Sequence, residues 1–138
     1  MTRAFQWATL VLATLVVIGV VLQVYFIAVY MLSLLDGAAN TDALDIHEGL
    51  GGAVHGVEIL TFLAAIGAFW KRWGLIGLAF SLPVVGTIQL GVVEADDEWA
   101  SGLHGLLALF VMVIASIVAH RAMHDLGMGR RRTPGAPG

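Results

Sequence analysis

Several polar and ionisable side chains interrupt stretches that are otherwise apolar. Gln23 and Tyr30 lie in the first such stretch, His47, Glu48, His55 and Glu58 in the second, Gln89 in the third and His104 in the fourth. Groups of this kind are costly in apolar surroundings, so each needs a reason to be there. A helix turns about 100° per residue, so with His47 at zero Glu58 falls at about 20°, Gly51 at about 40° and His55 at about 80°. Two histidines and a carboxylate therefore share one face, with Gly51 between them. Ala108, Ala115 and Ala119 continue the stripe of His104 and leave room beside its imidazole. Gly19, Gln23 and Tyr30 line one face of the first stretch.

Two histidines on different helices can hold one haem iron from opposite sides. That chemistry needs neutral imidazole nitrogens, an apolar slot for the macrocycle and small residues where its edge passes. His104 is one candidate ligand to a haem b iron, and His47 or His55 is the other. Tyr30, Gln89 and Gly51 suit the pocket, and Glu58 stands three residues after His55, within hydrogen-bonding reach. A six-coordinate iron leaves no open position for substrate, so electron transfer is its natural use. The same residues also suit two other roles. They can hydrogen-bond across helices and hold together a cofactor-free accessory subunit of a larger membrane complex. His55, Glu58 and Gln23 can line a proton or ion pathway, although no inverted repeat is present and a transporter would need oligomers. An enzyme is the least supported class, since no nucleophile constellation stands out. There is no cysteine and no HExxH, which removes thiolate sites, c-type haem attachment and that zinc motif. The acidic loop lacks the ligand spacing of a calcium site.

The elements that position these residues are membrane spans. Of 138 residues, 59% are hydrophobic and only 12% charged, a balance unsuited to a soluble domain. The stretches 7–35, 46–70, 74–93 and 100–121 each reach the about 20 residues needed to cross a bilayer, and in lipid they must be helical. The 29-residue run from Trp7 is too long for a secretory signal, so it reads as a retained helix. Residues 1–127 form one domain, an all-α up-down-up-down four-helix bundle joined by short loops. Pro83 is expected to kink the third helix. Residues 128–138, rich in Arg, Gly and Pro, read as a disordered basic tail. All seven basic residues (Arg3, Lys71, Arg72, Arg121, Arg130, Arg131 and Arg132) fall on one side. Asp36, Asp42, Asp45, Glu94, Asp96, Asp97 and Glu98 fall on the other. The positive-inside rule then puts both termini in the cytoplasm, as for a multi-pass protein of a bacterial inner membrane, with Trp70, Trp73 and Trp99 at interfaces. Partners are the lipid bilayer, a redox partner or larger complex and a second copy of the chain; nucleic acid is not expected. Gly52 and Gly56 form a GxxxG that reads as a helix-packing seam. Asp45 with Glu48 resembles an acidic capping box, which would start helix two there and put His47 about 3 Å and His55 about 15 Å below the start. A cap at Asp96 or Asp97 would put His104 about 10 Å below its own start, between the two.

The run Asp45-Ile-His47-Glu48-Gly49-Leu50-Gly51-Gly52 resembles the start of the second helix in one half of haem A synthase. Ile88-Gln89-Leu90-Gly91 and Gly102-Leu103-His104-Gly105-Leu106 resemble the third helix and the histidine-bearing fourth helix of that half. Each half of that family is a four-helix bundle with a bis-histidine haem site near the outer surface. The resemblance implies His47 and His104 as the axial ligands, with His55 in reserve. It covers three of the four helices. That family joins two bundles in tandem where this chain has one, and its arginine after the histidine is Glu48 here, so haem A synthesis is not implied. The chain also resembles small four-helix membrane families of high-GC bacteria that open helix two with a histidine and helix four with Leu-His.

Overall fold

A computed structural model describes residues 2–93 and 98–128. The acidic loop 94–97 and the tail 129–138 lie outside the described residues, and with them the proposed cap at Asp96 or Asp97. Four helices follow one another: α1 (Thr2–Leu35), α2 (Thr41–Ala68), α3 (Trp73–Val93) and α4 (Glu98–Asp125). No strand occurs among the described residues. Each helix contains a segment long and apolar enough to cross a membrane, which makes this a multi-pass helical membrane protein. Large apolar side chains such as Ile18, Leu60, Phe80 and Phe110 point outward, an arrangement that lipid tolerates and water does not.

α2 begins earlier than its sequence suggests. Asn40 caps it, accepting a hydrogen bond from the Ala43 amide at 3.2 Å, and Asp42 complements the first turn. Asp45 and Glu48 therefore lie inside the helix on exposed positions and do not form its capping box. The correction changes the depth argument. His47 now lies about 10 Å from its cap and His104 about 9 Å from the start of α4, so the two are level. The preceding turn is closed by Gly37, at a φ of 77° that suits glycine, and by the Ser33 hydroxyl, which accepts from the Asn40 amide at 2.8 Å. Between α2 and α3 the chain turns in residues 69–72, with Lys71 at a φ of 67°. There the Arg72 guanidinium pairs with Asp125 of α4 and lies 5.4 Å from the centre of the Phe69 ring. α3 runs continuously through Pro83.

α1 packs on α2 and α4, and α3 packs on the same two helices. Two apolar clusters fill the interior. The one near the 69–72 turn is built mainly from alanine, with Ala13, Ala65, Ala79 and Ala122 fully enclosed around Phe69. The other joins Val16, Val20, Val54, Leu82, Val111 and Ala115. Small residues allow the helix backbones to approach closely, which is how association is driven where lipid offers no hydrophobic gain. The glycines used for this are not the expected pair. A Cβ on Gly19 would run into the Val54 side chain and one on Gly67 into Phe5, whereas Gly52 and Gly56 are exposed and meet nothing within 4 Å. The GxxxG is therefore not a seam within this chain. Gly19→Leu is expected to destabilise the protein by about 1–3 kcal/mol, and Gly52→Ala to change it by less than about 0.5 kcal/mol, as read by reversible unfolding in mixed micelles.

Candidate functional site

The buried polar side chains are Thr9, Gln23, Glu58 and Thr61. Gln23 and Glu58 belong to a polar layer in the half of the bundle nearest the 36–40 turn. In this layer His47 of α2 and His104 of α4 face each other, with ring centres 6.2 Å apart and planes inclined at 64°. His47 Nδ1 lies 3.0 Å from the Gln23 main-chain oxygen on α1. His104 Nδ1 lies 3.3 Å from the Gln89 main-chain oxygen on α3. A carbonyl oxygen only accepts, so each Nδ1 carries a proton, and in the neutral form of either ring Nε2 would keep its lone pair. That is the tautomer a metal-ligating histidine adopts, with its second nitrogen donating to a carbonyl. The Gln89 side-chain amide donates to His104 Nε2 at a long 3.4 Å.

His55 takes no part in the facing pair. Its Nδ1 lies 3.0 Å from Glu58 Oε2, and Glu58 is only 2% exposed. Glu58 and His55 press on Gly86 of α3, where a Cβ would collide with the carboxylate. The Gln23 amide lies in the same way over Gly51, where a Cβ would come within 3.1 Å of Nε2. Gln23, His55, Glu58, Gly86, Gln89 and His104 share the wall of a cavity of about 30 Å³. That is room for a single water with polar partners.

Of the face read from helix angles, Gly51, His55 and Glu58 line one space; His47 lies outside that cavity wall and faces His104, which does line it. Gln89 contributes both its main-chain oxygen and its side chain. Tyr30 does not reach the layer. It stands two turns further along α1, about 10 Å away, partly exposed and outside the cavity wall. Gln23, read from sequence with His55 and Glu58 as a possible pathway, was not assigned to the haem pocket, and Gly86 was assigned to no site. Gln23 was visible as a mid-span glutamine, but its use of a main-chain oxygen was not. Gly86 carried no signal beyond being a glycine in an apolar helix.

A haem can be tested against these residues. Two imidazoles bound trans to one metal, at about 2 Å per bond, hold their ring centres about 6 Å apart, which the 6.2 Å separation meets. In ring separation alone, then, the pair matches a two-histidine site. The equatorial room is occupied by the chain itself. Beneath His104, Val111 and Ala115 are sealed against Val16 and Leu82, and the gaps at Gly51 and Gly86 hold Gln23 and Glu58. Seating a macrocycle requires far more room than the cavity of about 30 Å³: those two side chains and the Gln89 amide, which lies 3.4 Å from His104 Nε2, would have to swing out and the helices to part. Among the described residues, no three metal-ligating side chains converge.

No protein-family model, curated protein or solved structure matches the chain.

The polar layer itself has a stability consequence. Glu58→Gln keeps an oxygen acceptor for His55 and is expected to stay within about 1 kcal/mol of the parent, whereas Glu58→Ala strips His55 of its partner and should cost about 1–3 kcal/mol in the same unfolding measurement.

Proposed function

We propose that this chain is a haem b-binding membrane protein that carries electrons through a bis-histidine site. The observation that supports this reading best is the facing of His47 and His104, level in depth, with each Nδ1 tied to a carbonyl of a different helix. His47 and His104 would hold the iron. Gln23 and Gln89 would fix the two rings through their main-chain oxygens, and His55 with Glu58 would border the macrocycle. When bound, the haem supplies a one-electron couple whose potential is tuned by these axial ligands and their hydrogen bonds. The reading includes an up-down-up-down bundle, supported by the pairing of α1 and α3 each with α2 and α4. It places both termini in the cytoplasm of a bacterium, on the side of Arg3, Lys71, Arg72 and Arg121, and the site near the outer surface of the inner membrane. The resemblance to one half of haem A synthase points to the same pair of ligands.

A second reading, a cofactor-free accessory subunit, is favoured by one observation: the interior is already closed to a cavity of about 30 Å³. In that case the histidines serve as interhelical hydrogen-bonding groups. A transmembrane proton pathway has less support, because the polar layer gives way to the alanine-rich cluster around Phe69.

The test is a reduced-minus-oxidised visible spectrum of protein purified from haem-replete cells. A low-spin b-type band at one haem per chain is expected, lost in His47→Ala and in His104→Ala and retained in His55→Ala. Retention of the band in His104→Ala would remove the ligand assignment, and a colourless parent protein would leave the accessory subunit as the better account.

A further inference from the structure

The opposite end of the bundle carries a second site, unconnected with the histidine pair. An open cleft of about 600 Å³ lies among the start of α1, the 69–72 turn and the end of α4. Its polar lining comes from Thr2, Gln6, Trp70, Arg72, His124 and Asp125. We propose that this cleft binds the headgroup of an anionic phospholipid.

Three observations carry the proposal. The first is charge. Among the described residues this end holds Arg3, Lys71, Arg72 and Arg121 against Asp125 alone. The second is the state of Arg72. One of its terminal nitrogens pairs with Asp125, yet the side chain remains 46% exposed and keeps the rest of its donor fork. The guanidinium carbon lies 5.4 Å from the centre of the Phe69 ring, a cation–π position, and a fork of this kind matches two phosphate oxygens. Thr2 and Gln6 add neutral donors on the facing helix, and His124, 63% exposed, adds another beside Asp125. The third is depth. Trp70 and Trp73 are 65% and 74% exposed on either side of the turn, as aromatic residues are where headgroups meet the apolar core. The cleft therefore opens at the level of the lipid phosphates, with exposed apolar helix surface beside it for the acyl chains. A basic cleft between helices at this level is a headgroup site by chemistry.

Asp125 gives the proposal its sharpest test. It competes with phosphate for Arg72, so removing its charge should tighten binding, while removing the arginine should weaken it. The full chain would be released from mixed micelles containing equal amounts of phosphatidylglycerol and phosphatidylcholine and its retained lipid counted by native mass spectrometry. We expect phosphatidylglycerol to be retained at about one molecule per chain with about five-fold preference, the scale of one arginine near a membrane surface. Arg72→Gln should abolish the preference and Asp125→Asn should raise it. Equal retention of the two lipids would overturn the proposal. So would a parallel loss in Asp125→Asn and Arg72→Gln, which would mean that the ion pair only maintains the fold. Displacement of the lipid by an equal concentration of inorganic phosphate would assign the cleft to a free anion instead.

Discussion

Water is absent from the middle of a bilayer, so a side chain with hydrogen-bonding groups there must be answered by protein. The polar layer of this bundle is organised by that constraint. His47 and His104 each spend one ring nitrogen on a main-chain oxygen of a neighbouring helix. Those oxygens belong to Gln23 and Gln89 inside regular helices, so the imidazoles use a second lone pair. His55 and Glu58 answer each other within α2. The bonds do more than satisfy their members. Each crosses a helix boundary or fixes a rotamer, and together they determine which nitrogen faces the centre of the bundle.

Satisfying these groups also requires space, and glycine provides it. Gly51 leaves room for the Gln23 amide, and Gly86 leaves room for Glu58 and His55. Alanine at Gly86 would force Glu58 and His55 to move, whereas at Gly51 it would need only a small shift of the Gln23 amide. Glycine in these helices therefore has two separate uses. Gly19 and Gly67 let α1 and α2 approach closely through Val54 and Phe5, while Gly51 and Gly86 admit polar side chains. Gly52 and Gly56 do neither, although their GxxxG spacing is the pattern most readily associated with packing.

Much of the arrangement was legible in the sequence, for identifiable reasons. Four spans followed from unbroken apolar runs, because lipid leaves helices no amphipathic alternative. The shared face of Gly51, His55 and Glu58 followed from helical angles, which also put His47 on it, although His47 lies outside the cavity wall. Helix ends were harder. Asp45 and Glu48 have a capping pattern, but Asn40, five residues earlier, is followed by residues able to form a helical turn and takes the cap. That displacement of more than one turn was what set His47 level with His104 rather than above it. Tyr30 shared an angle with Gln23 but not a depth, which one helix cannot reveal without its neighbours. The roles of main-chain oxygens and of Gly86 were not legible, since both arise from contacts between helices and leave no mark on residue type.

The two ends of the bundle are built from opposing chemistries, and the alanine-rich cluster explains how they coexist. Ala13, Ala65, Ala68, Ala79 and Ala122 lock around Phe69 in an apolar cluster, with the buried hydroxyls of Thr9 and Thr61 one helical turn from Ala13 and Ala65. Above it Thr61 donates its hydroxyl to the Val57 oxygen of its own helix at 2.7 Å. An electron needs no continuous polar route and can pass between partners at one surface, whereas a proton crossing the membrane would have to traverse the packed alanines. The apolar cluster thus stands between the histidine layer and the basic end of the bundle.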